Sequence, residues 1–335
     1  MDEFELIERW LERLPVPGSG VLVGPGDDAA VLVPRPGHRL VVTTDAVVEG
    51  VHFDAGRVPP AAIGHKALAV NLSDLAAMGA RPRWSTVALT LPPGRLPWSF
   101  LRRIADGLGA LARAHGVAVV GGNVSAGDVF SLTLTLVGEA RQVLRRKGAR
   151  PGDRILVTGT LGDAALGLAS LAARSGPPRR MSVLEARQVR PTPRVEMGLA
   201  AVGLASAAID VSDGLVQDLG HLLRESGVGA TLFAHRVPRS RAYQRATTDL
   251  GPALSGGEDY ELCLTAPPRK VPALSRRARA LRLRLTEIGE VDESGTLRIL
   301  DDRGRPIRLA QVGYTHHTLT RTGRGRRRRR GAGRC

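Results

Sequence analysis

Cysteine and aromatic residues are scarce in this sequence of 335 residues. The two cysteines, Cys263 in an apolar stretch and Cys335 at the C-terminus, cannot supply a disulfide framework or a thiolate zinc site. A reducing compartment fits this composition, and we expect a cytoplasmic protein. Phe, Trp and Tyr make up only 3% of the residues, so few side chains are available to stack on nucleic-acid bases. This scarcity argues against a protein that reads bases.

The sequence also lacks a signal-peptide core and a long apolar run. Residues 1–14 mix acids with apolar residues at helical spacing, which predicts an amphipathic helix. No stretch approaches the roughly 20 apolar residues of a membrane-spanning helix. We therefore expect a soluble protein with no membrane partner.

Acidic residues are outnumbered by basic ones, with 32 Asp and Glu against 48 Lys and Arg, and the formal net charge is +16. Half of this excess lies in residues 321–335, which contain eight arginines and no acid. A basic run flanked by glycine cannot bury apolar surface, so we expect residues 319–335 to be a disordered, solvated tail. The less favoured alternative is that the tail contacts nucleic acid or another polyanion, with an affinity that falls steeply with salt.

Length and hydrophobic content favour two domains of about 150 residues each. The basic stretch of residues 145–153 contains Gly148, Pro151 and Gly152 and interrupts the periodic pattern. We therefore predict an α+β N-terminal domain over residues 1–147, with helices and a mixed sheet. An α/β C-terminal domain is predicted over residues 148–318.

A glycine- and aspartate-rich segment, G-P-G-D-D at residues 24–28, follows an apolar strand. It continues into a second short strand, whereas the glycines of a dinucleotide-binding fingerprint open a helix. The segment is therefore interpreted as a tight turn that presents Asp27 and Asp28. An ordinary hairpin turn is the alternative, because Asp and Gly are common turn residues.

Thr43, Thr44 and Asp45 are predicted to end a strand. Hydroxyl and carboxylate oxygens are the ligands that Mg²⁺ prefers, although a turn that closes the strand would use the same residues. The following helix, predicted over residues 61–80, is apolar on nearly every face yet carries Asn71 and Asp74 on one side. Because burying an unpaired carboxylate is costly, Asp74 must be ion-paired, hydrogen-bonded or bound to metal.

Two more acidic motifs lie in the second half of the chain. Asp210, Ser212 and Asp213 stand where a strand is predicted to turn into a helix, and Ser212 or Asp213 could instead be a plain helix N-cap. Glu258 and Asp259 follow two glycines, which let a backbone approach a ligand closely. Five such sites together suggest a polynuclear site for Mg²⁺, since no His-rich ligand set accompanies them.

The sequence contains only weak evidence for a phosphate-binding loop. The Walker A pattern G-x-x-x-x-G-K-[ST] is absent from the sequence. The turn G-T-L-G-D at residues 159–163 could hold an anion at a helix N-terminus, but no lysine follows it. It is a weak candidate.

Taken in order, these motifs resemble those of the thiamine-monophosphate kinases. The resemblance covers residues 1–318 and is carried by G-P-G-D-D, T-T-D-A-V-V-E-G-V-H-F, K-A-L-A-V-N-L-S-D-L-A-A-M-G-A, R-K-G-A-R-P-G-D, D-V-S-D-G-L and L-S-G-G-E-D-Y-E-L. G-D-D and D-V-S-D-G-L are shared with a wider superfamily that includes aminoimidazole ribonucleotide synthetase. The helix motif K-A-L-A-V-N-L-S-D-L-A-A-M-G-A and the segment S-G-G-E-D-Y-E-L are more specific to the kinases.

The resemblance implies a two-domain aminoimidazole ribonucleotide synthetase-like fold, a homodimer, and transfer of a phosphoryl group from ATP to thiamine monophosphate. It implies Mg²⁺ ligands at Asp28, Thr43, Thr44, Asp45, Asp74, Asp210 and Asp213. It implies ATP contacts at Gly122, Arg146 and Ser212. Contacts to the thiamine substrate are implied at His52, Glu258 and Tyr314.

One position departs from the family pattern. The family commonly has G-G-D where this chain has Gly121, Gly122 and Asn123. Asn123 keeps this place among the expected metal ligands and ATP contacts, but its amide carbonyl carries less charge than a carboxylate. Nearby Asp128 could substitute for the missing acid.

Overall fold

The computed structural model describes residues 3–15, 18–176, 180–309 and 312–314. The helices in this part of the chain are α1 (Glu3–Leu11), α2 (Pro60–Ala77), α3 (Trp98–His115), α4 (Asp163–Ala172), α5 (Val183–Val189), α6 (Val195–Ala201), α7 (Leu215–Ser226), α8 (Arg241–Ala246), α9 (Gly251–Ser255) and α10 (Val271–Ala280). The strands are β1 (Val21–Val23), β2 (Val31–Leu32), β3 (Arg39–Val48), β4 (Arg81–Leu91), β5 (Ala118–Ala126), β6 (Ser131–Ala140), β7 (Arg154–Thr158), β8 (Ala207–Val211), β9 (Gly229–Phe233), β10 (Glu261–Ala266), β11 (Leu285–Asp292) and β12 (Leu297–Leu300). The predicted basic tail at 319–335 lies outside the described residues, as do Cys335 and the predicted domain end at 318.

The first large sheet has four strands in the order β3-β6-β4-β5. β6 is antiparallel to both of its neighbours, and β4 is parallel to β5. Alternate residues of β6, including Leu132, Leu134 and Leu136, are fully buried on the face that α2 covers. On the opposite face, Trp84, Ala118 and Val120 pack against residues of β1 and β2, whereas the part that β3 contributes is open, with Leu40 and Val42 exposed.

Strand β3 is longer than predicted. Instead of ending at Asp45, it pairs with β6 over its whole length, and Asp45 lies opposite Leu134. Because side chains alternate along a strand, Asp45 shares the helix-covered face with Thr43, whereas Thr44 points to the open face beside Thr135. The expectation that the strand ends at Asp45 is therefore wrong.

The second large sheet has six strands in the order β12-β9-β11-β7-β10-β8. Four of its neighbouring pairs are antiparallel, and β12 pairs with β9 in parallel. Helices pack beside it, with α7 against β8 and α4 against α5. The fold class expected from the sequence, mixed sheets with helices in both halves, is confirmed.

Helix α2 is the element that joins the two sheets. It contacts α3, β3 and β6 on one side, and α6, β8 and β10 on the other. Nearly all of its residues are buried, as its apolar sequence predicts. A side chain at Gly64 would place its Cβ 2.0 Å from the carbonyl oxygen of Ile104, so the close crossing of α2 and α3 requires glycine there. The predicted division at residues 147 and 148 stays a prediction.

Among the described residues, no helix is both long enough and apolar enough to span a membrane.

Candidate functional site

A cavity of about 450 Å³ lies where β3, α2 and the loops before α7 and β10 meet. Most of the site residues expected from the sequence line it, and they come from both halves of the chain. Polar lining residues are Thr44, Asp45, His52, Asp74, Asp210, Ser212, Asp213, Glu258, Tyr260 and Tyr314. Apolar lining residues include Val47, Val51, Val70 and Leu168, so the cavity combines an acidic wall with an apolar one.

Asp45 and Asp74 face each other from β3 and α2. Asp45 keeps an exposed surface, yet the surrounding protein removes enough solvent, with Asp74 and Asp213 adding repulsion, to raise its pKa to about 6. Desolvation also raises the pKa of Asp74, although a hydrogen bond from Thr43 and the charge of Arg146 oppose this. The Thr43 hydroxyl donates to Asp74 over 2.5 Å, so this half-buried carboxylate is hydrogen-bonded, one of the arrangements predicted for it.

Asp210 completes the acidic wall from the C-terminal end of β8. Its residue surface is only 5% exposed, and the Ser73 hydroxyl of α2 donates to its carboxylate over 2.7 Å. Burial, followed by the charge of Asp74, raises its pKa to about 7. Asp74 of α2 and Asp210 of β8 therefore place two like charges beside each other.

The loop between β8 and α7 is organised by Asp218, which sequence reasoning missed. Its buried carboxylate accepts hydrogen bonds from the backbone N–H groups of Ser212, Asp213 and Gly214 over 2.9, 3.0 and 3.1 Å. The cap residue of α7 is Gly214, so the alternative that Ser212 or Asp213 is a plain N-cap is wrong. An acid in the first turn of a helix is a signal for such a role, but a common one.

The segment before β10 has an unusual backbone. Glu258 and Tyr260 have φ angles of 69° and 50°, in the left-handed region that non-glycine residues seldom occupy. The Glu258 N–H donates to the carbonyl oxygen of Ser212 over 2.7 Å, and a Cβ at Gly257 would lie 2.6 Å from that same oxygen. Gly257 therefore allows this segment to pack directly on the loop that carries Asp213.

Tyr260 is a lining residue that the sequence analysis did not single out, although it stands inside a quoted motif. Burial raises its pKa well above the usual value, and the charges of Glu258 and Asp45 add to this effect. Its hydroxyl therefore stays protonated beside the acidic wall.

His52 and Tyr314 reach the cavity from two further segments. The backbone N–H of Val48 donates to His52 Nδ1 over 3.1 Å, so a neutral His52 ring carries its proton on Nε2. Tyr314 N–H donates to the Asp213 carbonyl oxygen over 3.0 Å. Gln217 donates to both the Asp213 carboxylate and the Tyr314 carbonyl, which ties residues 312–314 to the start of α7.

Comparison with known proteins places the chain. Residues 26–140 match the family model described as AIR synthase related protein, N-terminal domain, and residues 150–302 match that of its C-terminal domain. Thiamine-monophosphate kinase from Salmonella typhimurium is 43% identical over 323 residues, which cover 94% of this chain and 98% of the relative.

The chain belongs to the thiamine-monophosphate kinase family.

Solved structures of this family have the same fold. Thiamine-monophosphate kinase from Stenotrophomonas maltophilia is 42% identical and aligns with a TM-score of 0.78 over 88% of this chain and 94% of that one. The structure described as AaThiL complexed with AMPPCP and TMP is 33% identical, with a TM-score of 0.74 over 94% of this chain and 96% of that one. The aminoimidazole ribonucleotide synthetase-like fold implied by the motifs is thereby confirmed.

Some residues expected from the family resemblance lie away from the cavity. Asp28 is exposed in the turn before β2, and Gly122 and Asn123 are exposed on β5. β5 and β3 are opposite edges of a four-stranded sheet, so about 14 Å separates them at the usual strand spacing. The structure does not bring these residues to Asp45 and Asp74 within one chain. Asp128 is likewise exposed and does not line the cavity.

Gly122 has a packing role of its own. A Cβ there would lie 2.0 Å from the carbonyl oxygen of Val87 on the adjacent strand β4. Glycine is therefore required by the close approach of β4 and β5. Arg146, by contrast, is exposed but close enough to influence Asp74, so it lies at the edge of the site.

The G-T-L-G-D turn does hold a carboxyl group, but one that the chain itself supplies. The Asp259 carboxylate accepts the backbone N–H groups of Gly162 and Ala164, at the start of α4, over 2.6 and 3.2 Å. Its pKa is nevertheless raised well above the usual value by desolvation. A phosphate at this helix terminus would have to displace Asp259.

The donor atoms of the acidic wall fit Mg²⁺ in kind, because they are carboxylate and hydroxyl oxygens. After desolvation, the charge of Asp74 is the next cause that raises the pKa of both Asp45 and Asp210, and a bound cation would relieve this repulsion. Among the described residues, however, no three His, Cys, Asp or Glu side chains are already grouped closely enough to hold a metal ion. The carboxylate side chains would have to move closer together to bind one metal ion jointly.

Proposed function

We propose that this chain transfers the γ-phosphoryl group of ATP to thiamine monophosphate, producing thiamine diphosphate and ADP. The observation that carries the proposal is the acidic cavity of Asp45, Asp74, Asp210 and Asp213, in a chain 43% identical to thiamine-monophosphate kinase. A solved relative is complexed with AMPPCP and TMP, a nucleotide analogue and a monophosphate. The cytoplasm is the proposed compartment.

The acceptor in this reaction is itself a phosphate. Its second pKa is about 6, so it is largely ionised at neutral pH and needs no general base to become a nucleophile. The remaining barrier is repulsion, since two unit charges at about 4 Å repel by on the order of 4 kcal/mol at an effective dielectric constant of about 20. Catalysis therefore consists of positioning and charge compensation.

Mg²⁺ is the proposed cofactor, held by Asp45, Asp74, Asp210 and Asp213 with Thr43 supporting Asp74. Bound Mg²⁺ would supply the positive charge that offsets the phosphates. The chain's own contribution is to hold carboxylates from β3, α2 and β8 around one cavity, with Asp218 fixing the loop of Asp213. Asp28, Thr44 and Asn123 remain predicted ligands that this arrangement does not support.

Substrate contacts are proposed for His52, Glu258 and Tyr314, and ATP contacts for Ser212, Arg146 and Gly122. Because His52 Nδ1 accepts from the Val48 N–H, its Nε2 carries a proton that could be donated to an anionic substrate.

The direct test is to incubate the purified protein with ATP, Mg²⁺ and thiamine monophosphate and to measure thiamine diphosphate. We expect product in proportion to ADP, and none when EDTA is present. A folded protein that forms no thiamine diphosphate would contradict the assignment. Thiamine without its phosphate is the matched control acceptor, and it should give no product.

A homodimer is also proposed, through the open part of the four-stranded sheet. Leu40 and Val42 of β3 are 50% and 62% exposed on this face. A sheet face that carries large apolar residues is stabilised when a second copy covers it. Light scattering should give twice the monomer mass of 35.6 kDa. A monomeric wild-type chain at micromolar concentration would contradict this proposal.

A further inference from the structure

Lys66 is a buried cation beside the cavity to which no role has been given above. It lies on α2, and only 2% of its surface is exposed. Its Nζ lies 2.6 Å from Glu258 Oε1 and donates to the His52 carbonyl oxygen over 3.0 Å. Burying an ammonium group is costly unless other groups compensate its charge, and these two contacts provide that compensation.

The two partners of Lys66 come from different parts of the fold. His52 follows β3 of the four-stranded sheet, whereas Glu258 precedes β10 of the six-stranded sheet. Both residues line the cavity, and both are proposed to contact thiamine monophosphate. A single ammonium group therefore fixes the distance between two halves of the proposed substrate site.

Glu258 is held on its second oxygen as well. Gln188 Nε2 of α5 donates to Glu258 Oε2 over 2.7 Å, while Lys66 contacts Oε1. The Glu258 backbone is in the left-handed region, which local sequence alone does not stabilise. Without Lys66, the carboxylate would lose its only charged contact in the described residues and the His52 loop would lose its link to it.

We propose that Lys66 is a positioning residue for the acceptor: it orders Glu258 and the His52 loop so that both can contact thiamine monophosphate. This inference rests on the proposed function. Lys66 acts through its two partners, His52 and Glu258, whereas the proposed ATP contacts at Ser212 and Arg146 come from other residues.

The experiment compares Lys66→Met with the wild-type chain in steady-state kinetics for each substrate. We expect the KM for thiamine monophosphate to rise about tenfold or more, while the KM for ATP changes less than about twofold. Lys270→Met is the matched control, because Lys270 also donates to a backbone carbonyl, that of Gly203, but lies outside the cavity. This control should leave both constants unchanged.

A double variant separates positioning from a purely structural role. If Lys66 acts through Glu258, Lys66→Met should raise the KM for thiamine monophosphate by less than about threefold in a Glu258→Gln background. Full additivity of the two changes would overturn the inference. So would a Lys66→Met variant that has a lowered melting temperature but the wild-type KM for both substrates.

Two further outcomes also test the inference. If Lys66→Met does not fold, Lys66→Gln keeps a polar atom at the buried position without the charge, and the same tenfold rise is expected; a wild-type KM overturns the inference. If the wild-type chain itself makes no thiamine diphosphate, the proposed function is wrong and this inference falls with it. An active wild-type chain with insensitive Lys66 variants contradicts the inference alone.

Discussion

Buried acids occur in two different settings in this molecule. Outside the cavity, Glu139 pairs with Arg35 over 2.6 Å, Glu185 with Arg174 over 2.7 Å, and Glu261 with Arg194 over 2.6 Å. Burial alone would raise the pKa of Glu185, but hydrogen bonds from Ser182, Arg174 and Ser170 outweigh it and lower the pKa to about 2. The chain thus supplies its own cations to these acids.

Two aspartates of the cavity, Asp45 and Asp210, show the opposite setting. Desolvation and neighbouring carboxylates raise the pKa of Asp45 to about 6 and that of Asp210 to about 7. Neither forms an ion pair with another residue in the described part of the chain. Glu139, Glu185 and Glu261 thus have cations supplied by the fold. Asp45 and Asp210 have none among the described residues, and we propose that a bound cation takes that place.

The largest expected effect tests the chemical side of this comparison. Asp45→Asn should lower kcat/KM by about 10³-fold, since a metal ligand supplies several kcal/mol of charge stabilisation. The melting temperature should stay the same or rise, because the change removes a carboxylate that repels Asp74 and Asp213. Coupled assay of ADP release and a thermal scan measure both. Retained activity would show that Asp45 is only a strand residue.

The structural side predicts a loss of stability instead. Arg194→Met would leave Glu261, which is 1% exposed, without its bidentate partner and lower the free energy of unfolding by about 3 kcal/mol. Urea unfolding at neutral pH measures the change. Arg298→Met, which breaks the exposed pair with Asp292, is the control and should cost less than about 1 kcal/mol. Equal losses in the two variants would remove the distinction between the settings.

A smaller effect is expected from pH in metal-free protein. Because the folded-state pKa values of Asp45 and Asp210 lie above the ordinary value of 3.8, the folded state binds more protons than the unfolded state between about pH 4 and pH 7. Stability contributed by these groups is therefore present below pH 4 and lost as pH rises to about 7, by on the order of 2 kcal/mol once solvent screening at the exposed Asp45 is discounted. Urea titrations at pH 5 and pH 8 measure it.

The same measurement can compare variants and metal. Asp210→Asn should flatten the pH dependence, because the amide does not titrate. Mg²⁺ should stabilise the wild-type chain more at pH 8 than at pH 5, since protons compete with it for the carboxylates. A wild-type chain that gains stability from pH 5 to pH 8 without metal would contradict the raised pKa values of the cavity.

The sequence predicted those parts of the site that depend on local pattern. The apolar helix with Asp74 is buried and hydrogen-bonded as its composition required, and Asp210 does stand at the end of a strand. Asp218 and the role of Asp259 were missed, because a single acid in a helix first turn or after two glycines has many ordinary uses.

Other features of the fold depend on strand order, which no local pattern determines. Asn123 and Asp45 belong to strands at opposite edges of one sheet, and only the order β3-β6-β4-β5 reveals the distance between them. The length of β3 was underestimated because an aspartate in a strand usually marks its end. Pairing with β6 overrides that preference, since the strand gains backbone hydrogen bonds as far as Val48.

Helix α2 has a consequence for how the chain is made. It packs on β8 and β10 as well as on its own sheet, so part of its apolar surface has no cover until residues beyond 207 have been synthesised. At about 5–20 residues per second, β8 leaves the ribosome about 6–26 seconds after α2. During this interval part of the apolar surface of α2 stays uncovered, and the acidic cavity cannot form because Asp210 and Glu258 have not yet been synthesised.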